Sequence, residues 1–396
     1  MTTPETSSVA AGICRHTLLE RVVHGQPFDK AVVEEMHVCN AQRVLVIAAP
    51  QARGSVALQT LSAALGQRYV GEFCEALPHV PVRCIRQGAL LARELNVDHL
   101  VALGGGSVID AAKAIALLLH KSVDADAAML LEPQDLSQVD SSDPDQEAAD
   151  WLRITVVPQT LSAAEFTWFA GVSDPDTRVK NIVAHAAMAP RTVILDPVLT
   201  MDVPLPIFLA SGVKAMDHAI ERLVALRSHP VSDATSLHAL QMLAWALPAV
   251  HRRPGDLEAR VQCQLASWLS ITGGNAGVKT GASHALGHTL GIHAGVAHGL
   301  TSCVLLPSVL RWNVTVNQRQ QRRVIAALDG PGEDLGSWVE RFVATLGLPA
   351  RLRELNVPEV DLPSIAQKSM HDPGMRNSPR PVQSAGDALE MLRMAW

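Results

Sequence analysis

The sequence predicts an α/β N-terminal domain built on a parallel sheet and an all-α C-terminal domain, and three observations carry that prediction. Short, continuously apolar runs alternate with helical segments up to about residue 200, as in strands buried on both faces and joined by crossover helices. One such run, Leu100-Val-Ala-Leu-Gly104-Gly105-Gly106-Ser107-Val-Ile-Asp110-Ala-Ala-Lys113, passes through three glycines directly into an Ala-rich helix. Beyond Pro204, apolar residues recur at helical spacing and no further strand signal appears. At 396 residues the chain exceeds one typical domain, and the expected division is 1–200 and 201–396.

The elements follow in order. Residues 43–50 form an apolar run ended by Pro50, a buried strand, and the chain to about Leu65 reads as a helix. Residues 80–85 read as a second strand, 89–95 as a helix and 99–103 as a third strand, which ends in the glycine turn. Nine acidic residues and a single lysine occupy 121–150 without sustained periodicity, so this stretch is expected to be a solvated surface insertion, with a substrate lid as the alternative. Strand character returns at 151–158 and 192–197. Helices are then expected at 207–226, 232–247, 256–272, 281–290, 300–312, 335–346 and 385–393.

Composition narrows the function class. Hydrophobic residues at 48% and charged residues at 18% describe a soluble globular protein, and a net charge of −6 gives no attraction for nucleic acid or an anionic membrane. Small-molecule chemistry is the expectation. Cys14, Cys39, Cys74, Cys84, Cys263 and Cys303 form no C-x-x-C pair, which speaks against a disulfide framework or a thiolate metal site. The polar N-terminus lacks a basic leader, and no apolar run is long enough to span a bilayer. A cytoplasmic protein without targeting or membrane segment is expected.

The glycine turn is suited to phosphate. Glycines let the backbone approach an anion, and the unpaired N–H groups and positive end of the following helix point at it. Ser107 is expected to cap that helix or add a hydroxyl donor. The spacing is neither the G-x-G-x-x-G dinucleotide fingerprint nor a P-loop, and a tight turn without ligand is the alternative.

In the C-terminal half, Lys214 and His218 lie four residues apart, as do His284 and His288, so each pair shares a helix face. His293 and His298 follow, the latter before Gly299. Four imidazoles on two helices suit a metal site, but H-x-x-x-H without an intervening glutamate fits hydrogen-bonded core histidines equally well.

Taken together, these residues resemble the iron-containing alcohol dehydrogenase family and, within it, the maleylacetate reductases. The marks are Arg21-Val-Val-His-Gly25, His79-Val-Pro-Val82, the stretch Gly104 to Lys113, Pro158-Gln-Thr160 with Glu165, Pro190 to Pro197 with Leu199-Thr200, the histidines, Leu305-Leu-Pro307 and Pro379-Arg-Pro-Val382. The resemblance implies a nucleotide-binding N-terminal domain, a helical catalytic domain, NADH or NADPH as cofactor, a small carboxylic acid substrate, a role in aromatic-compound catabolism and a homodimer. Carried over by position, Gly104, Gly105, Gly106 and Ser107 match the pyrophosphate loop, and Asp110, Thr160 and Ser162 fall at nearby cofactor-contacting positions. Ala49 stands where many family members have an aspartate for the ribose 2′-hydroxyl, so a 2′-phosphate is not repelled.

The family's metal ligands, an aspartate and three histidines, fall on Lys214, His218, His284 and His298, and His288 matches the histidine that relays protons near the nicotinamide. Lysine inverts the charge of the first position. To ligate a cation its amine must lose a proton, which from a reference pKa near 10.4 costs about 4.6 kcal/mol at pH 7. No metal is therefore expected. Two further departures stand out. The family's Gly/Ser-rich turn reads Leu161-Ser162-Ala163-Ala164-Glu165, and the reductases' His-His-Lys-x-Cys-His reads Ser283-His284-Ala285-Leu286-Gly287-His288, which removes a lysine able to meet a substrate carboxylate. The leading expectation is a metal-independent reductase of a small oxo-acid or unsaturated oxo-acid, with Lys214 polarising an oxygen and His288 supplying a proton. The alternative is a non-redox lyase or hydrolase on the same scaffold, using Lys214 and the histidines. For Lys214 itself, a structural ion pair with Asp217 or Glu221 is the plainer reading.

Overall fold

The computed structural model describes residues 17–121, 130, 151–174, 179–328, 330 and 332–396. Strands β1 (Arg21–His24), β2 (Val44–Ala48), β3 (Tyr69–Phe73), β4 (His99–Gly104), β5 (Arg153–Pro158) and, later in the chain, β8 (Thr192–Leu195) form one sheet. Its order is β1-β8-β5-β4-β2-β3, and every pairing is parallel. Between β5 and β8, β6 (Phe169–Asp174) and β7 (Val179–Ala184) make a separate antiparallel hairpin. Helices α1 (Phe28–Val38), α2 (Val56–Leu65), α3 (Val82–Glu94) and α4 (Gly106–Lys121) complete this half.

Strands β2 and β4 are buried along their whole length because both sheet faces are covered. One apolar cluster joins Leu45, Ile47, Leu100 and Ala102 to α3, α4 and the hairpin, and another joins Val44, Val46, Val101 and Leu103 to α1 and α2. Chain direction sets the ligand crevice. From β2 the chain passes through α2 to β3 on one side, whereas from β4 it passes through α4 to β5 on the other, so the carboxyl ends of β2 and β4 frame the switch point where ligands of such sheets bind.

Several expectations need correction. Residues 80–85 are not a strand: Pro81 stands at the cap position of α3, and Cys84, Ile85, Gly88, Ala89 and Ala92 bury one helical face. The strand beside β2 is instead β3, whose half-exposed residues conceal it in the sequence. Ser107 lies inside the first turn of α4, which opens at Gly106, rather than at its cap. The β6–β7 hairpin and β1 were not anticipated. The acidic insertion lies outside the described residues except for Lys121 and Leu130.

After Pro204 come α5 (Leu205–Leu223), α6 (Pro230–Arg252), α7 (Leu257–Asn275), α8 (Ala282–Ala294), α9 (His298–Ala327), α10 (Leu335–Thr345), α11 (Leu362–Ser369) and α12 (Ala385–Ala395). No strand is present here among the described residues. Helix α5 is the axis, buried from Phe208 through Leu223 and packed against α6, α7 and α9. A second core joins α8, α9, α11 and α12. The cysteines among the described residues are free, and no described helix is long and apolar enough to cross a membrane.

Candidate active site

Helix α5 brings Lys214, Asp217, His218 and Glu221 onto one face through its three- and four-residue spacing, and all four are buried. Helix α8 presents His284 and His288 in the same way, and α9 opens at His298. That last placement needs glycine next door, since a methyl group at Gly299 would lie 2.7 Å from Ala210 C and 2.8 Å from its carbonyl oxygen. Because Gly299 has no side chain, the start of α9 approaches the backbone of α5 closely, at the turn before Lys214.

The imidazoles form a chain. His218 stacks on His284 with ring centroids 4.8 Å apart, His284 meets His288 edge-on at 6.4 Å, and His288 stacks on His298 at 5.1 Å. Two of them are oriented by carboxylates. Nδ1 of His284 shares a hydrogen bond of 2.8 Å with Glu221 and lies 3.6 Å from Asp217, while Nδ1 of His288 shares one of 2.8 Å with Asp372. Nε2 is then the nitrogen left for chemistry on each ring. The carboxylates are held in turn. The backbone N–H groups of Gly281 and Ser283 donate to Glu221 at 2.8 and 3.0 Å, Ser283 Oγ donates to Asp217 at 2.8 Å, and Gly374 N–H donates to Asp372 at 2.8 Å. Sequence reasoning offered Asp217 and Glu221 only as partners of Lys214 and missed Asp372 altogether.

Burial dominates the electrostatics. It pushes the Glu221 carboxyl up to about 8, with the neighbouring Asp217 charge adding to the effect, and raises Asp217 against the pull of the Lys214 ammonium. Burial, followed by the Lys214 charge, holds His218 and His284 well below the ordinary imidazole range, so both rings are neutral at pH 7. Arg222, also buried, donates to the carbonyls of His218, Ser270 and Val278. His293 stands apart, 3.6 Å from Asp361. Ala285 is fully buried in the core behind α8, so the position of the missing lysine faces packing rather than the histidines. Beside it, Thr301 Oγ1 would lie 2.8 Å from a methyl group at Gly287 and so takes space where the reductases carry cysteine.

The buried acids and histidines bear directly on metal binding. Among the described residues the group whose ligand atoms come within 4.8 Å of one another is Asp217, Glu221 and His284; Asp217 already accepts from Ser283 Oγ, and Glu221 accepts from the Gly281 N–H and shares a hydrogen bond with His284. Lys214 is buried on the same face of α5 as Asp217 and Glu221, and its charge there opposes a cation.

A dinucleotide does fit the crevice. The glycine turn ends β4 at the switch point, and the N-terminus of α4 opens into it. Thr160 and Ser162 lie against the turn: methyl groups at Gly105 and Gly106 would fall 3.1 Å from Thr160 Oγ1 and 3.0 Å from Ser162 Cβ. Asp110 sits behind it, accepting from Gly171 N–H at 3.1 Å with Lys113 Nζ at 3.9 Å, and the fully buried Lys113 donates to Thr167 Oγ1, Phe169 O and Ala164 O. Glu165, buried beside this cluster, has its carboxyl raised by burial to about 7.

Comparison with known proteins places the chain in a family. The family model described as iron-containing alcohol dehydrogenase matches residues 20–197, and that of the C-terminal part of the family matches residues 208–396. The chain belongs to the iron-containing alcohol dehydrogenase family. Within the family it is 30% identical to a maleylacetate reductase of Sphingobium indicum over 372 residues, 92% of each chain. The crystal structure of maleylacetate reductase from Agrobacterium tumefaciens superposes with a TM-score of 0.79 at 28% identity, covering 98% of this chain and 99% of that one. An NADH-dependent butanol dehydrogenase from Thermotoga maritima shares the fold, with a TM-score of 0.85 at 18% identity over 98% and 99% of the two chains. As a family member the chain is an NAD(P)-dependent oxidoreductase acting on a small molecule, which decides between the redox and the lyase or hydrolase expectations.

Proposed function

We propose that this protein is a metal-independent NAD(P)H-dependent reductase of a small oxo-acid or unsaturated oxo-acid, maleylacetate reductase-like in its chemistry. The reading rests on Lys214, 4% exposed on α5 and matched by resemblance to the family's aspartate ligand, close to the buried group of Asp217, Glu221 and His284. A reduced nicotinamide bound in the crevice supplies the hydride, and the chain's own residues supply charge and protons. The Lys214 ammonium polarises the substrate carbonyl or enolate oxygen, and the positive N-terminal end of α9 at His298 adds to the same potential. Both favour an anionic substrate and oppose a cation. His288, held through Nδ1 by Asp372, gives a proton from Nε2 to the reduced product. Neutral His218 and His284 supply polar walls, and His298 stacks on His288 to fix its plane.

The site unites a cofactor-binding domain of 1–200 with a catalytic domain of 201–396, in a chain we propose to be a cytoplasmic homodimer. Titration of NADH and NADPH by nicotinamide fluorescence, followed by turnover with a panel of small oxo-acids, tests the reading. Tight binding of a reduced cofactor and its oxidation by an oxo-acid support it. If neither form binds at millimolar concentration, the reading fails.

A further inference from the structure

The crevice carries a charged feature that the reaction does not use. In spatial order β3-β2-β4-β5-β8-β1 the sheet reproduces the doubly wound arrangement, in which the strand next to the glycine-turn strand reads the adenosine ribose. Here that strand is β2. It leads to Ala49 and, through the short turn Pro50–Ala52, to Arg53, while β3 leads to Cys74 and Glu75. The two loops are tied together, with Ala76 N–H donating to Ala48 O at 3.3 Å, and Arg53 Nη2 meets Glu75 Oε1 at 2.7 Å. Residues 49–54 and 74–78 contain one cation and one anion, this pair. Their side chains are 64% and 49% exposed, and a pair so open to water contributes little to folding.

We propose that Arg53 is the ligand of the 2′-phosphate of NADPH and that Glu75 positions its guanidinium while no phosphate is bound. The inference rests on the NAD(P)H reading of the site. Three features support it. Ala49 puts no carboxylate where a 2′-phosphate must lie, whereas a guanidinium offers the two-pronged donor pattern that phosphate accepts. Arg53 stands at the carboxyl end of the sheet, in the loop that follows the strand next to the phosphate turn, rather than at a remote face. Its carboxylate partner is exposed, so a dianionic phosphate can replace it without leaving a buried charge unpaired.

Dissociation constants for NADH and NADPH, measured by fluorescence at low ionic strength on wild type, Arg53→Ala, Arg53→Lys and Glu75→Gln, test the assignment, with thermal melts confirming that each variant is folded. Arg53→Ala is expected to weaken NADPH roughly tenfold or more, the scale of losing a charge-assisted phosphate contact, while NADH changes by about twofold at most. Arg53→Lys should recover part of the NADPH affinity, and Glu75→Gln should tighten NADPH by removing a competing anion. If Arg53→Ala shifts both cofactors alike, or neither, the assignment is wrong although the reductase reading stands. A wild-type protein that binds neither cofactor refutes the reductase reading itself, and this inference with it.

Discussion

Replacing Lys214 by methionine removes one positive charge from the centre of the site and keeps most of the side-chain volume. Lys214 is 4% exposed, so its charge acts at short range and with little solvent screening on Asp217, Glu221, His218 and His284. If the ammonium stabilises negative charge on the reacting oxygen, turnover falls about 10²- to 10³-fold, or about 2.7–4 kcal/mol, as when one preorganised oxyanion donor is lost. Folding responds differently. The variant no longer buries an ammonium, a desolvation penalty of several kcal/mol, and it loses the attraction to Asp217, which keeps its hydrogen bond from Ser283 and can take up a proton. These opposing terms are of similar size, so the melting temperature should change little. A pH signature accompanies the loss of activity. Burial and then Lys214 depress the basicity of His218 and His284. Below the unfolded imidazole pKa near 6.5 the unfolded chain therefore binds protons that the folded one does not, and stability falls as pH falls. Removing Lys214 relaxes part of that depression, and the acid loss should be shallower. Steady-state oxidation of the reduced cofactor and thermal melts between about pH 5 and 8 give both readouts. A variant with near-wild-type turnover that melts much earlier would show Lys214 to be a structural ion-pairing residue and refute the mechanism.

Three further perturbations test the frame around it. Asp372→Asn leaves a weaker partner for Nδ1 of His288, and kcat should fall about tenfold or more with cofactor affinity unchanged; an unaltered kcat would remove His288 from the proton path. Gly299→Ala places a methyl group 2.7 Å from the backbone of Ala210, so a destabilisation of about 1–3 kcal/mol together with loss of activity is expected in melts and kinetics. Glu165→Gln tests the buried carboxyl raised from 4.5 to about 7. Its raised value means that the folded state holds a proton the unfolded chain has lost, so wild-type stability declines between about pH 4.5 and 7, by roughly 3 kcal/mol at 1.36 kcal/mol per pH unit. The variant should lack that decline, melting later than wild type at pH 8 and alike at pH 4.5.

What the sequence revealed was what short-range periodicity encodes. Strands β2, β4 and β5 are apolar runs because the sheet is covered on both faces, and the three glycines mark the turn from β4 into α4. The Lys214–His218 and His284–His288 spacings put each pair on one helix face without any tertiary information. Strand β3 escaped because Gly71 and Glu72 are half-exposed and break the apolar run. The error at 80–85 arose from reading Val-Pro-Val as extended, when Pro81 is a start signal and Cys84, Ile85, Gly88, Ala89 and Ala92 recur at helical spacing. The partners of the histidines were out of reach for a different reason. Glu221 lies 63 residues from His284, and Asp372 lies 84 residues from His288, so only the packing of α5, α8 and the segment after α11 brings them together. Asp217 and Glu221 did carry a signal, two acids on the same α5 face as Lys214, but nothing local says that they serve histidines on another helix. Ala163 is a further case. It adopts φ +61°, a left-handed conformation in which glycine would be unstrained, which fits a turn that is Gly/Ser-rich in the family and carries alanine here.

Whether reduction proceeds without a metal is the most direct test of the proposed mechanism. Protein purified without added metal and dialysed against a strong chelator can be assayed for iron and zinc by elemental analysis, with oxidation of NADH or NADPH by a small oxo-acid followed on the same sample. Well under one ion per chain and full turnover before and after chelation are expected if Lys214, as proposed, stands as a cation in place of a metal ligand. About one tightly held ion per chain, with turnover lost on chelation and restored by adding the metal back, would contradict it.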